Sequence, residues 1–410
     1  MWFYMKLAWR NILRNKRRTI IAGISIGIGL AAVLLHAAVT KGMISSMITT
    51  TTSSFIGDAQ IHQNRFRDTQ DVEKTISNLD DVVQKLKHEP LVSNFTLRTI
   101  SMGMISSPAN VNAALLVGIN PETEQNLSLF DEAIKYGKGD FFKGTNPRDI
   151  VIGSKMAEIL EVGLGDRIVV TVAQVKTGDL SQEMFRISGI YHFGIKSLDA
   201  NMMFIRLPRA QEMLGIPGQV HQIAIKFHDT RTALNPNLPF WKTYSANSNE
   251  AVSWITLMPQ LDMMLKMSAF GTLIIIIILG ALVTFGIINV LFMSLYERMF
   301  EFGVLRAVGT RPGGIRKLII LEAGALGLIS IAIGITIGFL ITFILIKTGL
   351  DYRGIEMGGM VFQDLLYPEI EWWHYVVYPI GVLVFTVLVG LYPAWVGGRM
   401  RISDAIRKSL

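Results

Sequence analysis

The 410-residue chain contains no cysteine. That absence excludes a disulfide framework and any thiolate metal site, and it is compatible with exposure to an oxidising periplasm without requiring it. Charge is scarce, at 17% of residues against 50% hydrophobic, and some long stretches have none. Catalytic signatures are also missing. The run GTRPGGIRK (309–317) lacks both the Gly-Lys pair of a phosphate-binding loop and a preceding strand. There is no H-E-x-x-H, no nucleophile elbow, and the 7 histidines are scattered. We therefore expect no catalytic residue, no metal ligand and no cofactor in this chain.

The charge-poor stretches form four blocks: residues 20–39, 268–295, 323–346 and 375–396. Each is roughly 20 residues long or more, enough to cross a bilayer core as a helix. The first follows a basic leader, yet it is too long for a secretory h-region and lacks a small-x-small cleavage site, so it reads as a retained anchor. His36, at the outer end of the first block, is given no role. Asn289 and Glu322 are the polar residues at or within membrane depth. Glu322 stands about one turn beyond Lys317, which predicts an ion pair between them at the boundary.

Basic residues cluster beside the blocks. The leader carries Lys6, Arg10, Arg14, Lys16, Arg17 and Arg18 without an acid, and the tail carries Arg399, Arg401, Arg407 and Lys408 against Asp404. Between the second and third blocks, Arg298, Arg306, Arg311, Arg316 and Lys317 outnumber Glu297 and Glu301. The whole chain is +7, so these segments account for all the surplus and leave the rest acidic. Short basic loops stay in the cytoplasm, which places both termini and the middle loop inside. The same dispersal argues against a nucleic-acid partner.

The expected layout is a leader helix (1–18), a first span (19–42), an outer region (43–267), a second span (268–296) and a cytoplasmic loop (297–317). A third span (318–347), an outer loop (348–372), a fourth span (373–396) and a tail (397–410) complete it. The fold class is a polytopic α-helical membrane protein with a large α+β periplasmic domain inserted between the first and second transmembrane helices. Strand-like runs at 115–119, 166–175, 184–193 and 221–227 alternate with helical pieces at 154–162 and 207–215. Two subdomains are expected, the middle one at about 115–228. Segment 229–250 reads as a linker or long loop.

Trp2, Met5, Trp9 and Ile12 recur at helical spacing opposite Lys6, Arg10 and Arg14, an amphipathic helix for the inner membrane surface. Gly23 with Gly27 and Gly334 with Gly338 keep the G-x-x-x-G spacing of closely packed spans. Met43 and Met47, then Met258, Met263, Met264 and Met267, put soft apolar surface on stalks beyond the first two spans. These methionines either pack the stalks against the outer domain or receive acyl chains. Met43, Met47, Met263, Met264 and Met267 are the acyl-chain candidates.

The loop is the most specific segment. Glu297, Arg298, Glu301, Gly303, Leu305-Arg306-Ala307, Gly309, Ile315 and Glu322 resemble the signature of the FtsX-like permease family of ATP-driven transporters. The leader (LAWRNILRNKRRTIIAGISIGIG), IGDAQIH (56–62), VGINPETE (117–124), 151–170 and 185–215 resemble its lipoprotein-releasing branch. The tail departs from the family pattern: Ile402 stands where a proline is expected, and the chain closes Ala405-Ile406-Arg407.

The resemblance implies a pair of permease subunits, identical or homologous, assembled with two cytoplasmic ATPase subunits that bind the ATP and magnesium. It implies that the 297–317 loop is the coupling helix docking on the ATPase, with Glu297, Arg298, Glu301, Gly303, Arg306 and Gly309 as coupling residues. Spaced one turn apart, Glu297 and Glu301 would share a helix face, and Gly309 and Pro312-Gly313-Gly314 would end that helix. The expected function is extraction of lipoprotein cargo from a bacterial inner membrane for a periplasmic carrier. A macrolide-exporter-like efflux permease and a mechanotransmitting regulator of wall hydrolases are the alternatives.

Overall fold

The structure, a computed structural model, describes residues 2–14, 16–142, 146–175, 177–357 and 359–399. Ile402 and nearly all of the tail lie outside the described residues. The chain divides into two compact units: residues 1–44, 265–351 and 365–410 form one, and residues 45–264 with 352–364 the other.

The first unit is helical. A leader helix spans Trp2–Arg14, and long helices span Lys16–Thr51, Pro259–Glu297, Pro312–Thr348 and His374–Arg399. All four long helices have the length and apolar composition to cross a membrane. They are hydrophobic all round, so each buries its backbone polarity in its own hydrogen bonds and offers apolar surface in every direction. Small residues set how closely they approach. A Cβ on Gly334 would stand 2.8 Å from the Gly27 carbonyl oxygen, and one on Gly27 would stand 3.1 Å from the Gly334 amide nitrogen. The two glycine pairs thus let the first and third helices meet backbone to backbone. Ala22 and Ile26 pack with Ile287 and Leu291 of the second helix and with Ala323 and Leu326 of the third. Elsewhere the second helix is open: Phe270, Ile277 and Phe285 are exposed.

The second unit is built on one sheet. Its strands are β1 (Ala59–Gln63), β2 (Val92–Ser106), β3 (Val111–Ile119), β4 (Lys138–Gly139), β5 (Asp149–Gly153), β6 (Arg167–Ala173), β7 (Leu180–Tyr191), β8 (Met202–Arg206), β9 (Gln222–Phe227) and β10 (Asn249–Ser253). The order is β10-β1-β9-β2-β3-β8-β5-β7-β4, with β6 bridging β2 and β7. The long β2 joins the two ends of the region to its middle, pairing with β9 through its first half and with β3 and β6 through its second. Helices Ser154–Leu160 and Leu207–Leu214 cover the sheet through Met156, Leu160, Ala210 and Met213.

Segment 229–250 is more ordered than its polar composition predicts. It holds a 3-10 turn at Thr230–Leu234, a helix at Pro239–Tyr244 and the start of β10. Pro239 opens that helix where its missing N–H is harmless, and Phe240 and Tyr244 are buried. The outer loop read at 348–372 also divides. Its hairpin, β11 (Glu356–Met357) and β12 (Met360–Val361), joins the second unit. There the Val361 amide donates to the Gly194 carbonyl at 2.8 Å, and Tyr136 Oη donates to Asp364 Oδ1 at 2.7 Å.

One buried ion pair ties the end of the first long helix to this sheet. The helix widens into a π-helical turn, Thr52–Ile56, then enters β1 through Gly57 at φ +74°. Arg98 of β2 is 0% exposed; its Nη1 donates to the Phe55 carbonyl at 2.6 Å and its guanidinium lies 3.8 Å from the Phe55 ring centroid. Glu124, also 0% exposed, accepts from Arg98 Nε at 3.0 Å and from Nη2. A bidentate pair with a carbonyl acceptor satisfies most of the guanidinium's donors, the condition under which a buried charge is tolerated.

Candidate functional site

The residues between the second and third long helices were expected to carry the coupling function, and their geometry differs from the simple one-helix reading. The second helix ends at Glu297, Arg298 is non-helical (φ −106°, ψ 11°), and a separate short helix runs Met299–Ala307. Glu297 and Glu301 therefore sit on two different helices rather than on one shared face. Gly309 at φ +103° ends the short helix, since only glycine adopts that conformation without strain. Pro312 then opens the third long helix.

Arg298, Glu301 and Glu322 turn inward, while Glu297, Arg311 and Lys317 are exposed. Arg298 is 7% and Glu322 is 5% exposed, and Arg298 Nη1 donates to Glu322 Oε1. Asn11 Nδ2 of the leader donates to the same oxygen at 2.8 Å. Glu322 thus pairs with Arg298 and Asn11 instead of the expected Lys317. Lys317 precedes it by five residues on the same helix, and residues share a face at three or four. Arg298 Nε also donates to Glu301 Oε2 at 3.0 Å, and its guanidinium lies 4.9 Å from the Phe302 ring centroid. Glu301 accepts a second bond from Arg14 Nη2 at 2.7 Å. Partial burial disfavours the Glu301 carboxylate, but the bonds from Arg14 and Arg298 outweigh it and hold the group below the usual glutamate range.

The outward face of the short helix is apolar. Phe300, Val304 and Val308 are 47%, 41% and 83% exposed and recur every four residues, with Leu305 beside them. Val308 directly follows the helix, which ends at Ala307. Gly303 and Phe302 are buried, and Arg306 is half-buried. Sequence reasoning weighted the glutamates and missed this row, although its i, i+4, i+8 spacing was legible.

The leader is built into the same end of the unit. Tyr4, Leu7 and Ala8 pack with Phe302, Ile315, Leu318 and Ile319, while Trp2, Met5 and Trp9 remain exposed. The leader thus has a protein face as well as the apolar and basic faces its periodicity predicted.

The methionine candidates are not equivalent. Met263 and Met267 are 64% and 66% exposed, and Met43 and Met264 are half-buried. Met47 is 3% exposed and lines a small polar cleft of the second unit, about 110 Å³, with Glu132, Tyr136, His192 and Asp364.

At that cleft Ser154, His192 and Asp199 come together, a grouping the sequence did not reveal. Ser154 Oγ and Asp199 Oδ2 approach the same ring nitrogen, His192 Nδ1, at 2.8 and 2.9 Å. A proton relay needs its partners on opposite ring nitrogens, so the set is not a nucleophile triad. Asp199 also accepts the amides of Phe193 at 2.9 Å and Gly194 at 3.2 Å, which makes it the anchor of that turn. Its hydrogen bond raises the His192 pKa against partial burial.

The chain matches the profile of a MacB-like periplasmic core domain over residues 19–234, and that of an FtsX-like permease C-terminal domain over residues 273–402. It is 23% identical over 321 residues to the lipoprotein-releasing system transmembrane protein LolC of Xylella fastidiosa, covering 72% of this chain and 73% of that protein. It is 22% identical over 336 residues to the corresponding LolE protein of Haemophilus influenzae, covering 78% and 79%. The periplasmic region of MacB from Actinobacillus actinomycetemcomitans aligns over 51% of this chain and 94% of that one at 12% identity, with a TM-score of only 0.33. The periplasmic-core profile spans more than half of the chain and the permease profile takes in its last three long helices, so the chain belongs to the FtsX-like permease family and is an ABC transporter permease.

Proposed function

We propose that this chain is the transmembrane subunit of a lipoprotein-releasing ABC transporter. The observation that carries this reading is the extent of its likeness to lipoprotein-releasing permeases, which runs over 79% of the Haemophilus influenzae relative. Two cytoplasmic ATPase subunits bind ATP and magnesium, and a second permease subunit pairs with this one. Both termini lie in the cytoplasm, and the α+β unit stands in the periplasm between the first and second spans. Closure of the ATPases pushes on the Met299–Ala307 helix, and the second unit passes lipoprotein cargo to a carrier. The exposed row of Phe300, Val304 and Val308 supports a protein partner there, because apolar side chains left facing water gain free energy when covered.

The test is reconstitution of the complex in proteoliposomes with a lipoprotein and a soluble carrier. ATP-dependent release into the soluble fraction is expected. Val304→Asp or Val308→Asp should lower ATPase-subunit affinity at least about tenfold, since a buried charge without a partner costs more than 1.4 kcal/mol. The MacB-like core profile favours one other reading, small-molecule efflux. Drug transport with no lipoprotein release would select it.

A further inference from the structure

We infer that Asn11, Arg14, Arg298, Glu301 and Glu322 form a polar clamp that makes the short helix, the leader and the third long helix move as one body. The inference rests on the proposal that the ATPase pushes on the short helix.

The short helix lies between two weak points. At one end Arg298 interrupts the helical backbone, and at the other Gly309 and Pro312 turn the chain with nothing near Gly309. A load applied to a helix joined only through such breaks would rotate it and be absorbed at the hinges. The clamp bypasses both. Arg298, at the first hinge, reaches across 24 residues to Glu322, nearly three turns inside the third helix from Pro312. Glu301, within the short helix, is bound to Arg14 of the leader 287 residues away. Asn11, one turn before Arg14, closes the circuit by donating to Glu322 at 2.8 Å.

Burial makes these bonds stiff in a way surface pairs are not. Arg298 and Glu322 are largely withdrawn from water, so separating them leaves a buried charge unpaired. Arg14 and Glu301 are more open, at 56% and 40% side-chain exposure. The clamp is therefore most deeply buried toward the third helix and more open to solvent toward the leader. A cavity of about 50 Å³, lined by Asn11, Arg14, Arg298 and Glu322, leaves room for the side chains or a water molecule to shift.

The experiment uses the full complex in nanodiscs. The cysteine-free sequence allows a clean spin-label pair at Leu180→Cys and Leu273→Cys, both exposed positions. The ATP-dependent change in label distance is read alongside ATP hydrolysis and ATPase-subunit binding. Arg298→Gln and Glu322→Gln should reduce the movement per ATP hydrolysed by at least about fivefold, the lower end of ordinary coupling, with the ATPase subunit still bound. The charge-exchanged pair Arg298→Glu with Glu322→Arg should restore much of it. Should Arg298→Gln fail to assemble, Arg14→Gln and Asn11→Ala, at less buried positions, should still lower movement per ATP. Wild-type movement in these variants overturns the clamp, as does loss of ATPase binding in Arg14→Gln and Asn11→Ala, which would place the residues in the docking surface. Failure of the docking proposal shows separately, as ATPase binding that survives Val304→Asp.

Discussion

The buried charges of this protein mark where separate stretches of chain are fastened together. Arg98 and Glu124 fasten the end of the first long helix to the sheet through Phe55. Removing one partner strands the other without water, so Arg98→Met should destabilise the second unit by about 3–5 kcal/mol, read from urea unfolding of the full-length protein. His62 of β1 is buried as a neutral group instead. It is 2% exposed, its Nδ1 lacks a hydrogen-bond partner, and burial together with the nearby Arg67 and Arg98 charges holds its pKa down to about 3. Between that value and the unfolded value of 6.5, the unfolded chain binds a proton that the folded unit refuses. Stability is therefore complete above pH 6.5 and falls as the solution is acidified, by about 2 kcal/mol on going from pH 7 to 5. His62→Leu should remove that share of the pH dependence. Glu322 stands out in the sequence as an acid beside an apolar run, while its partners lie 24 and 311 residues away.

For the helices, composition was a good guide to existence and a poor one to ends and faces. Four uncharged runs of about 20 residues are recognisable because a bilayer demands that length, yet the first helix continues to Thr51 and the second begins at Pro259. The glycine pairs were legible as spacing, and the structure adds which helices they join. Gly334→Leu would drive a side chain into the Gly27 carbonyl and Leu30, so the first and third helices must separate. We expect a loss of about 1–3 kcal/mol or more, as for overpacked cores, seen as a lowered melting temperature in detergent. At the short helix, the spacing of Phe300, Val304 and Val308 is visible in the sequence beside the more conspicuous glutamates. Glutamates at a membrane margin suggest an outward face only until the inward arginines that receive them are located.

Across the whole molecule, the proposed function assigns energy input to the helical unit and cargo handling to the α+β unit. If the methionine surface receives acyl chains, Met263→Glu with Met267→Glu should lower lipoprotein release in proteoliposomes about tenfold or more, since a charge facing an acyl chain costs over 1.4 kcal/mol. ATP hydrolysis should persist. Unchanged release would leave those side chains as packing surface. Met47, being buried, should act through the stability of the second unit instead.

Sequence by itself determined the membrane helices, the α+β character of the intervening region, the lack of a phosphate-binding loop and the family. These depend on composition, on periods of two or four residues and on short motifs, all of which are local along the chain. Tertiary structure alone decided that Arg298 grips Glu322, that Arg14 grips Glu301, that Arg98 is sealed against Glu124, and that the 352–364 hairpin belongs to the sheet-bearing unit. Each of those choices is a desolvated charge or an unpaired backbone edge seeking any partner that folding brings within reach. Which partner arrives depends on how helices and strands pack, and no local pattern encodes it.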